Sequence, residues 1–260
     1  MPTQTNQQQA TQRIALVTGA SRGLGRSTAL HLADSGVDII LTYQRNETEA
    51  QAVVAAIEAK GRRAAALRLD VADSSTFELF AAAVKQTLAA RWERERFDYL
   101  VNNAGAGVHA GIMETTEAQF EQMFKIHLKG TFFLTQKLLP LIADGGRILN
   151  TSSGLTRFSL PGYGAYAAMK GGVEVLTRYM AKELGARGIA VNTIAPAAEI
   201  GFDGGAVRDN EELNAMIASQ TALGRVGLPD DIGGAAAALL GEGNRWINAQ
   251  RIEVSGGVAI

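Results

Sequence analysis

Cysteine is absent from the 260 residues, so disulfides and thiolate metal sites are excluded. Aromatic residues make up only 6% of the chain while apolar residues reach 47%, so a core must be built from Ala, Val, Leu and Ile. Histidine is scarce, with three residues, and no His, Asp or Glu cluster has metal-ligand spacing. An excess of either charge is also missing. Twenty-five basic residues face 26 acidic ones, which gives no electrostatic reason to expect nucleic acid or an anionic membrane as partner. No apolar run approaches the roughly 18 residues of a membrane span. The opening "MPTQTNQQQATQ" has neither a basic region nor an apolar core, so it does not read as a signal peptide. Residues 1–12 are expected to be a flexible polar tail, residues 13–260 a single domain, and the protein cytoplasmic.

Short apolar runs alternate with helical patterns along the domain. "IALV" (14–17), "VDIILT" (37–42), "AAALRL" (64–69), "DYLV" (98–101), "GRILNTSS" (146–153), "IAVNTI" (189–194) and "RIEV" (251–254) read as strands. Helical spacing covers Leu24 to Ser35, residues 47–60 with Val53, Val54 and Ile57 as the apolar stripe, and a long segment from Ser74 to Arg94. Strand–helix alternation of this kind implies an α/β fold: a three-layer Rossmann-type, doubly wound parallel sheet of about seven strands with helices on both faces.

"VTGASRGLG" (17–25) closes the first strand and opens the first helix. Gly19, Gly23 and Gly25 depart from the usual dinucleotide spacing, yet the physics of that turn still applies. Glycines let the backbone approach a pyrophosphate, and the helix N-terminus offers unpaired N–H groups and a positive dipole end. Ser21 is placed to cap the helix or touch phosphate. The end of the second strand reads "TYQRNE", with no acid to bind a ribose 2′-hydroxyl before Glu47. Arg45 and Arg22 are placed instead to meet a 2′-phosphate, so NADP(H) is the preferred cofactor and NAD(H) the alternative. Ligands of open parallel sheets lie beyond the carboxyl ends of the strands. Asp70 and Val71 end the third strand, and "NNAG", with Asn103, Ala104 and Gly105, ends the fourth. Asp70 and Asn103 are expected to reach adenine and ribose.

After the fifth strand, "YGAYAAMKGG" opens a helix. Tyr166 and Lys170 are four residues apart and share a helix face, with Tyr163 one turn earlier. A phenol with a pKa of about 10 is a poor proton donor at neutral pH. A neighbouring ammonium and the positive nicotinamide of an oxidised cofactor would bring that pKa down. Such a tyrosine shuttles a proton while the cofactor carries hydride. A packed tyrosine and a solvated lysine have the same spacing by chance, and only the setting argues for chemistry.

The combination "TGASRGLG", "NNAG", "NTSS" and "YAAMK" resembles the short-chain dehydrogenase/reductase family, in the single-domain branch of 3-oxoacyl-acyl-carrier-protein reductases and glucose dehydrogenases. The likeness runs from Arg13 to Ile260 and includes "LGRVGLPDDIGGAAAALL" and "INAQRIEVSGG". It implies strand order 3-2-1-4-5-6-7, a homotetramer built through two long helices, and a small-molecule carbonyl or alcohol as substrate. It puts the catalytic tyrosine on Tyr166 and the lysine on Lys170, which also binds the nicotinamide ribose. The serine that orients the carbonyl falls on Ser153. Leu24 occupies an aliphatic turn position, and Pro196 joins the cofactor contacts. The family's "NxxG" asparagine, whose main-chain carbonyl holds a relay water, is replaced by His127 in "HLKG". The family's "PGxxxT" loop reads "PAAEIG", with Ala197 and Gly201 at the altered positions. A third departure is the longer "LAARWERERFDYL" (88–100), read as a solvated helix end. The segment from Ala197 to Gln220 is expected to cover the substrate pocket, with "GFDGG" (201–205) as a mobile lid. His109 reads as an exposed loop residue, His31 as surface or packing, and Tyr163 as pocket wall. The expected function is NADP(H)-dependent interconversion of a carbonyl and an alcohol. The alternative is an NADP-binding sensor or regulator on the same fold.

Overall fold

The structure, a computed structural model, describes residues 12–197 and 210–260. All of the expected tail but Gln12, and the "GFDGG" segment, lie outside the described residues. The strands are β1 (Ile14–Val17), β2 (Asp38–Tyr43), β3 (Ala64–Arg68), β4 (Phe97–Asn102), β5 (Ile142–Thr151), β6 (Ala190–Pro196) and β7 (Arg251–Val254). They form one parallel sheet in the order β3-β2-β1-β4-β5-β6-β7, as the resemblance implies. The order reverses direction between β1 and β4, and the ligand crevice of such sheets opens there, at the carboxyl ends of the strands.

The helices are α1 (Gly23–Asp34), α2 (Glu47–Glu58), α3 (Phe77–Trp92), α4 (Glu117–Met123), α5 (Gly130–Leu138), α6 (Gly164–Leu184), α7 (Glu211–Ser219) and α8 (Pro229–Leu240). Side chains of a strand alternate between sheet faces, and β1 divides accordingly. Ala15 and Val17 pack with Leu32, Val53, Ile57 and Ile232 of α1, α2 and α8. Ile14 and Leu16 pack with Phe77, Val84, Leu88 and Leu134 of α3 and α5. Both faces are therefore apolar, which explains why the strands read as continuous apolar runs. α1 and α8 approach closely because Gly233 has no side chain. A Cβ there would lie 2.3 Å from Ser27 Oγ.

Most strand boundaries shift by a residue or two from the sequence reading, and β5 shifts at both ends. β5 starts at Ile142 rather than at Gly146, because Ile142 pairs with Phe97 across an irregularity, and Gly145 takes the left-handed conformation with φ +74°. It ends at Thr151, since Ser153 caps a 3-10 turn at Gly154–Thr156 instead of extending the strand. The long helix begins as a 3-10 turn at Ser74–Thr76 and stops at Trp92, where Glu93 turns left-handed with φ +53°. "WERERF" thus leaves the helix one turn before β4.

Buried charge closes the end of the sheet opposite the crevice. Asp98, 2% exposed, accepts from Ile14 N at 2.8 Å, Arg94 at 2.9 Å and Arg13 at 3.0 Å. Asp38 accepts from Trp92 Nε1 at 2.8 Å and Arg63 N at 2.9 Å. Among the described residues, no helix is long and apolar enough to cross a membrane. Removing one partner of a buried ion pair leaves charge unsatisfied, so Asp98→Ala should cost about 3 kcal/mol in urea unfolding. A cost below about 1 kcal/mol, the range of an exposed pair, would show that this clamp is dispensable.

Candidate active site

The glycine turn is stitched to the end of β4 by Thr18. Its hydroxyl accepts from Asn103 N at 2.9 Å and from Ala104 N at 3.0 Å. Asn103 returns its side-chain amide to Thr18 O at 2.9 Å and Gly19 O at 3.3 Å. Asn103 was expected to reach adenine and ribose, but its NH2 group is spent on holding the turn. Gly19 has φ +65° and Gly23 φ +56°, in the left-handed region that favours glycine. A Cβ on Gly25 would lie 2.5 Å from Asn103 Nδ2 and from Gly19 O, so close backbone approach fixes this position.

The first turn of α1 carries neither a side-chain cap nor an acidic residue, with Arg22 at the N-cap. α2 differs, with Asn46 as cap and Glu47 and Glu49 in its first turn. The α1 N-terminus keeps N–H groups and its positive dipole end for an outside anion. Ser21 flanks this turn and Leu24 packs into the core beside it. Arg22 and Arg45 are exposed at the ends of neighbouring strands and engage no partner among the described residues. An uncapped helix start, a glycine cradle and two uncommitted guanidinium groups on one rim fit a phosphorylated dinucleotide. Asp70 uses one carboxylate oxygen on Ala72 N at 2.9 Å, and the Val71 carbonyl comes so near Gly130 that a Cβ there would lie 2.4 Å away. That contact accounts for the glycine of "HLKG".

Across the crevice, Ser153, Tyr166 and Lys170 come together. All three are buried, with Ser153 on the loop after β5 and the other two on α6. Burial pushes the Tyr166 phenol above its ordinary value, and a side-chain hydrogen bond with Ser153 opposes that rise. Burial alone pushes the Lys170 ammonium down to about 7. Its Nζ donates to Thr151 O at 2.7 Å and lies 5.6 Å from the centre of the Tyr166 ring. Desolvation dominates both groups, and the lysine is aimed at a carbonyl.

His127 lies in a π-helical stretch, Phe124–Lys129, between α4 and α5. Such insertions are frequent at functional sites, and periodicity gave no sign of this one. The imidazole stands edge-on to Tyr166, with centroids 5.1 Å apart and planes at 89°. Its Nε2 contacts Ala106 O at 2.7 Å. Desolvation, with the Lys170 charge adding to it, pushes the imidazole pKa down to about 3 against the Ala106 hydrogen bond. His109 meets Tyr163 edge-on at 5.0 Å, consistent with a pocket wall, and His31 contacts Ser27 O at 3.0 Å beside the α8 glycines.

Pro196 ends β6, and Ala197 follows with its N–H on Val254 O at 3.3 Å. The rest of "PAAEIG", including Gly201, lies outside the described residues. A second layer escaped the sequence reading. Glu174 Oε1 accepts from Ser152 at 2.6 Å, Thr156 at 2.7 Å and Arg251 at 2.7 Å, and Arg251 also donates to Ser153 O at 3.2 Å. Glu174 is one helical turn beyond Lys170, and that spacing was the available signal. Among the described residues, no group of three or more His, Asp or Glu could hold a metal ion.

Known proteins share the sequence pattern and the fold of this chain. The family model described as "Enoyl-(Acyl carrier protein) reductase" matches residues 19–259. A 3-oxoacyl-acyl-carrier-protein reductase of Staphylococcus aureus is 37% identical over 248 residues, covering 95% of this chain and 98% of its own. An NADPH-dependent aldehyde reductase-like chloroplastic protein of Arabidopsis thaliana is 34% identical over 261 residues, covering 94% and 93%. The crystal structure of the angucycline C-6 ketoreductase LanV with bound NADP superposes with a TM-score of 0.90 at 33% identity, covering 95% of each chain.

The buried imidazole makes a prediction about stability. Its pKa falls from 6.5 to about 3 on folding, so between those values the unfolded chain binds more protons and stability rises with pH. Lys170 acts with the same sign between about 7 and 10.5. His127→Phe should therefore remove about 2 kcal/mol of the stability lost by the wild-type protein between pH 7 and pH 5. Denaturant titrations at the two pH values measure it, and parallel losses in both proteins would refute it.

Proposed function

The chain belongs to the short-chain dehydrogenase/reductase family and is an oxidoreductase acting on carbonyl or alcohol groups, and from that premise we propose that it reduces a ketone or aldehyde with NADPH, using Tyr166 as proton donor. The observation that carries this reading is the convergence of Ser153, Tyr166 and Lys170 in a sheet whose first strand leads into the uncapped start of α1. When bound, the cofactor supplies the hydride. The Ser153 and Tyr166 hydroxyls hold the carbonyl oxygen, and Tyr166 gives it a proton as charge develops there. A phenolate left in a buried site needs a neighbouring cation, and Lys170 is that cation. With its pKa near 7, the lysine can also pass protons at neutral pH.

Gly19, Ser21, Gly23, Leu24 and Gly25 would hold the pyrophosphate, and Arg22 and Arg45 a 2′-phosphate. Asp70, Val71, Asn103, Ala104, Gly105 and Pro196 would line the rest of the cofactor crevice. His127 would support proton supply to Lys170. The substrate mouth carries Ile112, Met113 and Leu160, which are exposed and apolar, beside the His109–Tyr163 pair. An apolar carbonyl compound fits this rim. LanV, an angucycline C-6 ketoreductase that has also been seen with NADP and rabelomycin bound, makes angucycline ketones the first class to test. Phe120, Phe124, Phe132 and Phe133 of the α4–α5 region and Tyr179 of α6 are each at least 40% exposed, which supports assembly through these helices into a homotetramer, and the cytoplasm is the proposed compartment.

NADPH consumption across a panel of carbonyl compounds tests the activity directly. Tyr166→Phe should lower kcat by about 100-fold or more, with the NADPH Kd unchanged in a fluorescence titration. Near-full turnover by that variant would remove Tyr166 from its role. NADPH should bind the wild-type protein at least about 10-fold more tightly than NADH, and Arg45→Ala should narrow the gap. Equal affinities would refute the assignment of both arginines.

A further inference from the structure

The resemblance assigns the relay water to the main-chain carbonyl at position 127. Two observations move it. Thr131 donates its hydroxyl to that carbonyl at 2.7 Å. A carbonyl has two lone pairs, so at most one is left, inside a helical stretch whose ladder also claims carbonyls. The imidazole offers the opposite situation. The Ala106 carbonyl can only accept, so Nε2 must carry the hydrogen and Nδ1 is an acceptor. His127 is 2% exposed, and no donor among the described residues reaches Nδ1. Buried acceptors are as a rule satisfied, by protein or by water.

We propose that the acceptor anchoring the proton-relay water in this chain is Nδ1 of the His127 imidazole, in place of the main-chain carbonyl. The proposal rests on the reading that Tyr166 and Lys170 carry the proton chemistry. The water donates one hydrogen to Nδ1 and faces the Lys170 ammonium with its oxygen. In the reductive direction Tyr166 loses its proton to the product oxygen and Lys170 resupplies the phenolate. The water then gives a proton to Lys170 and regains one from solvent. His127 stays neutral throughout, forms no covalent bond and exchanges no electrons. It is a positioning residue, and its pKa near 3 keeps the acceptor unprotonated at any working pH.

The test combines a spectroscopic and a kinetic arm. In full-length protein labelled with 15N-histidine, the signal absent from His127→Phe identifies the residue. It should report the Nε2–H tautomer with unprotonated Nδ1 from about pH 5 to about pH 9. An Nδ1–H tautomer or a protonated ring in that range overturns the proposal. With the carbonyl compound that supports the fastest NADPH consumption, His127→Phe should lower kcat by about 10-fold or more while KM and the NADPH Kd change less than about twofold. His127→Asn and His127→Gln, which retain a side-chain acceptor, should recover most of the loss. Adding Thr131→Val to His127→Phe frees the carbonyl and should restore part of kcat. Wild-type kcat in His127→Phe, or no gain from either the Asn or Gln variant, overturns the proposal. Retained activity in Tyr166→Phe would instead overturn the reading on which it rests, so the two failures are distinct.

Discussion

Desolvation of three neighbouring ionisable side chains governs this site. His127, Tyr166 and Lys170 are each at most 6% exposed, and burial is the largest influence on all three. Low dielectric favours their neutral forms, so the phenol rises while the ammonium and imidazole fall. A corner built in this way can hold only one added charge cheaply. A proton leaving the phenol creates a phenolate beside an amine that titrates near neutrality, and the charge on one settles the charge on the other. The proposed relay follows from that coupling. A neutral imidazole beside the pair supplies an acceptor without adding a second cation.

The corner keeps its shape because hydrogen bonds immobilise its base. Asn102 at the end of β4 donates to Asn150 on β5 at 2.8 Å and to Thr135 on α5 at 3.0 Å. Asn150 donates to Thr177 on α6 at 2.9 Å, and Thr193 on β6 reaches the same hydroxyl at 2.8 Å. This buried ladder ties three strands to the two helices that bracket the site. Glu174 and Arg251 repeat the device one layer out, joining α6 and β7 to the serine loop. Buried polar groups are costly unless every member is paired, and here pairing converts that cost into a fixed register between sheet and helices.

The seven strands and the glycine turn were legible in the sequence because each rests on short-range spacing, whereas the strand order came only with the family resemblance. The apolar runs of β1 and β7 coincide with the observed strands to the residue. What stayed hidden depends on contacts between distant segments. β5 is lengthened by pairing with Phe97 across an irregularity that no local pattern encodes. Thr18 looked like an ordinary strand end, yet its hydroxyl joins two loops more than 80 residues apart in sequence. The π-helical stretch at His127 is a hydrogen-bonding choice between alternatives one residue apart, and side-chain periodicity does not resolve it.

Two of the three departures from the family pattern share one physical solution. A histidine ring stands where the pattern has asparagine, and a methyl group stands at Ala197 where the pattern has glycine. Each enlarged residue faces a glycine across the crevice. A Cβ on Gly105 would lie 2.9 Å from His127 Cε1, and a Cβ on Gly154 would lie 2.3 Å from Ala197 Cβ. Both distances are too short for real carbon contacts, so neither neighbour can be enlarged without displacing the other. The room for each departure is built into the opposite strand end. The departures are therefore packed features of the crevice, and the imidazole is held against Tyr166 by the same close fit that leaves Gly105 bare.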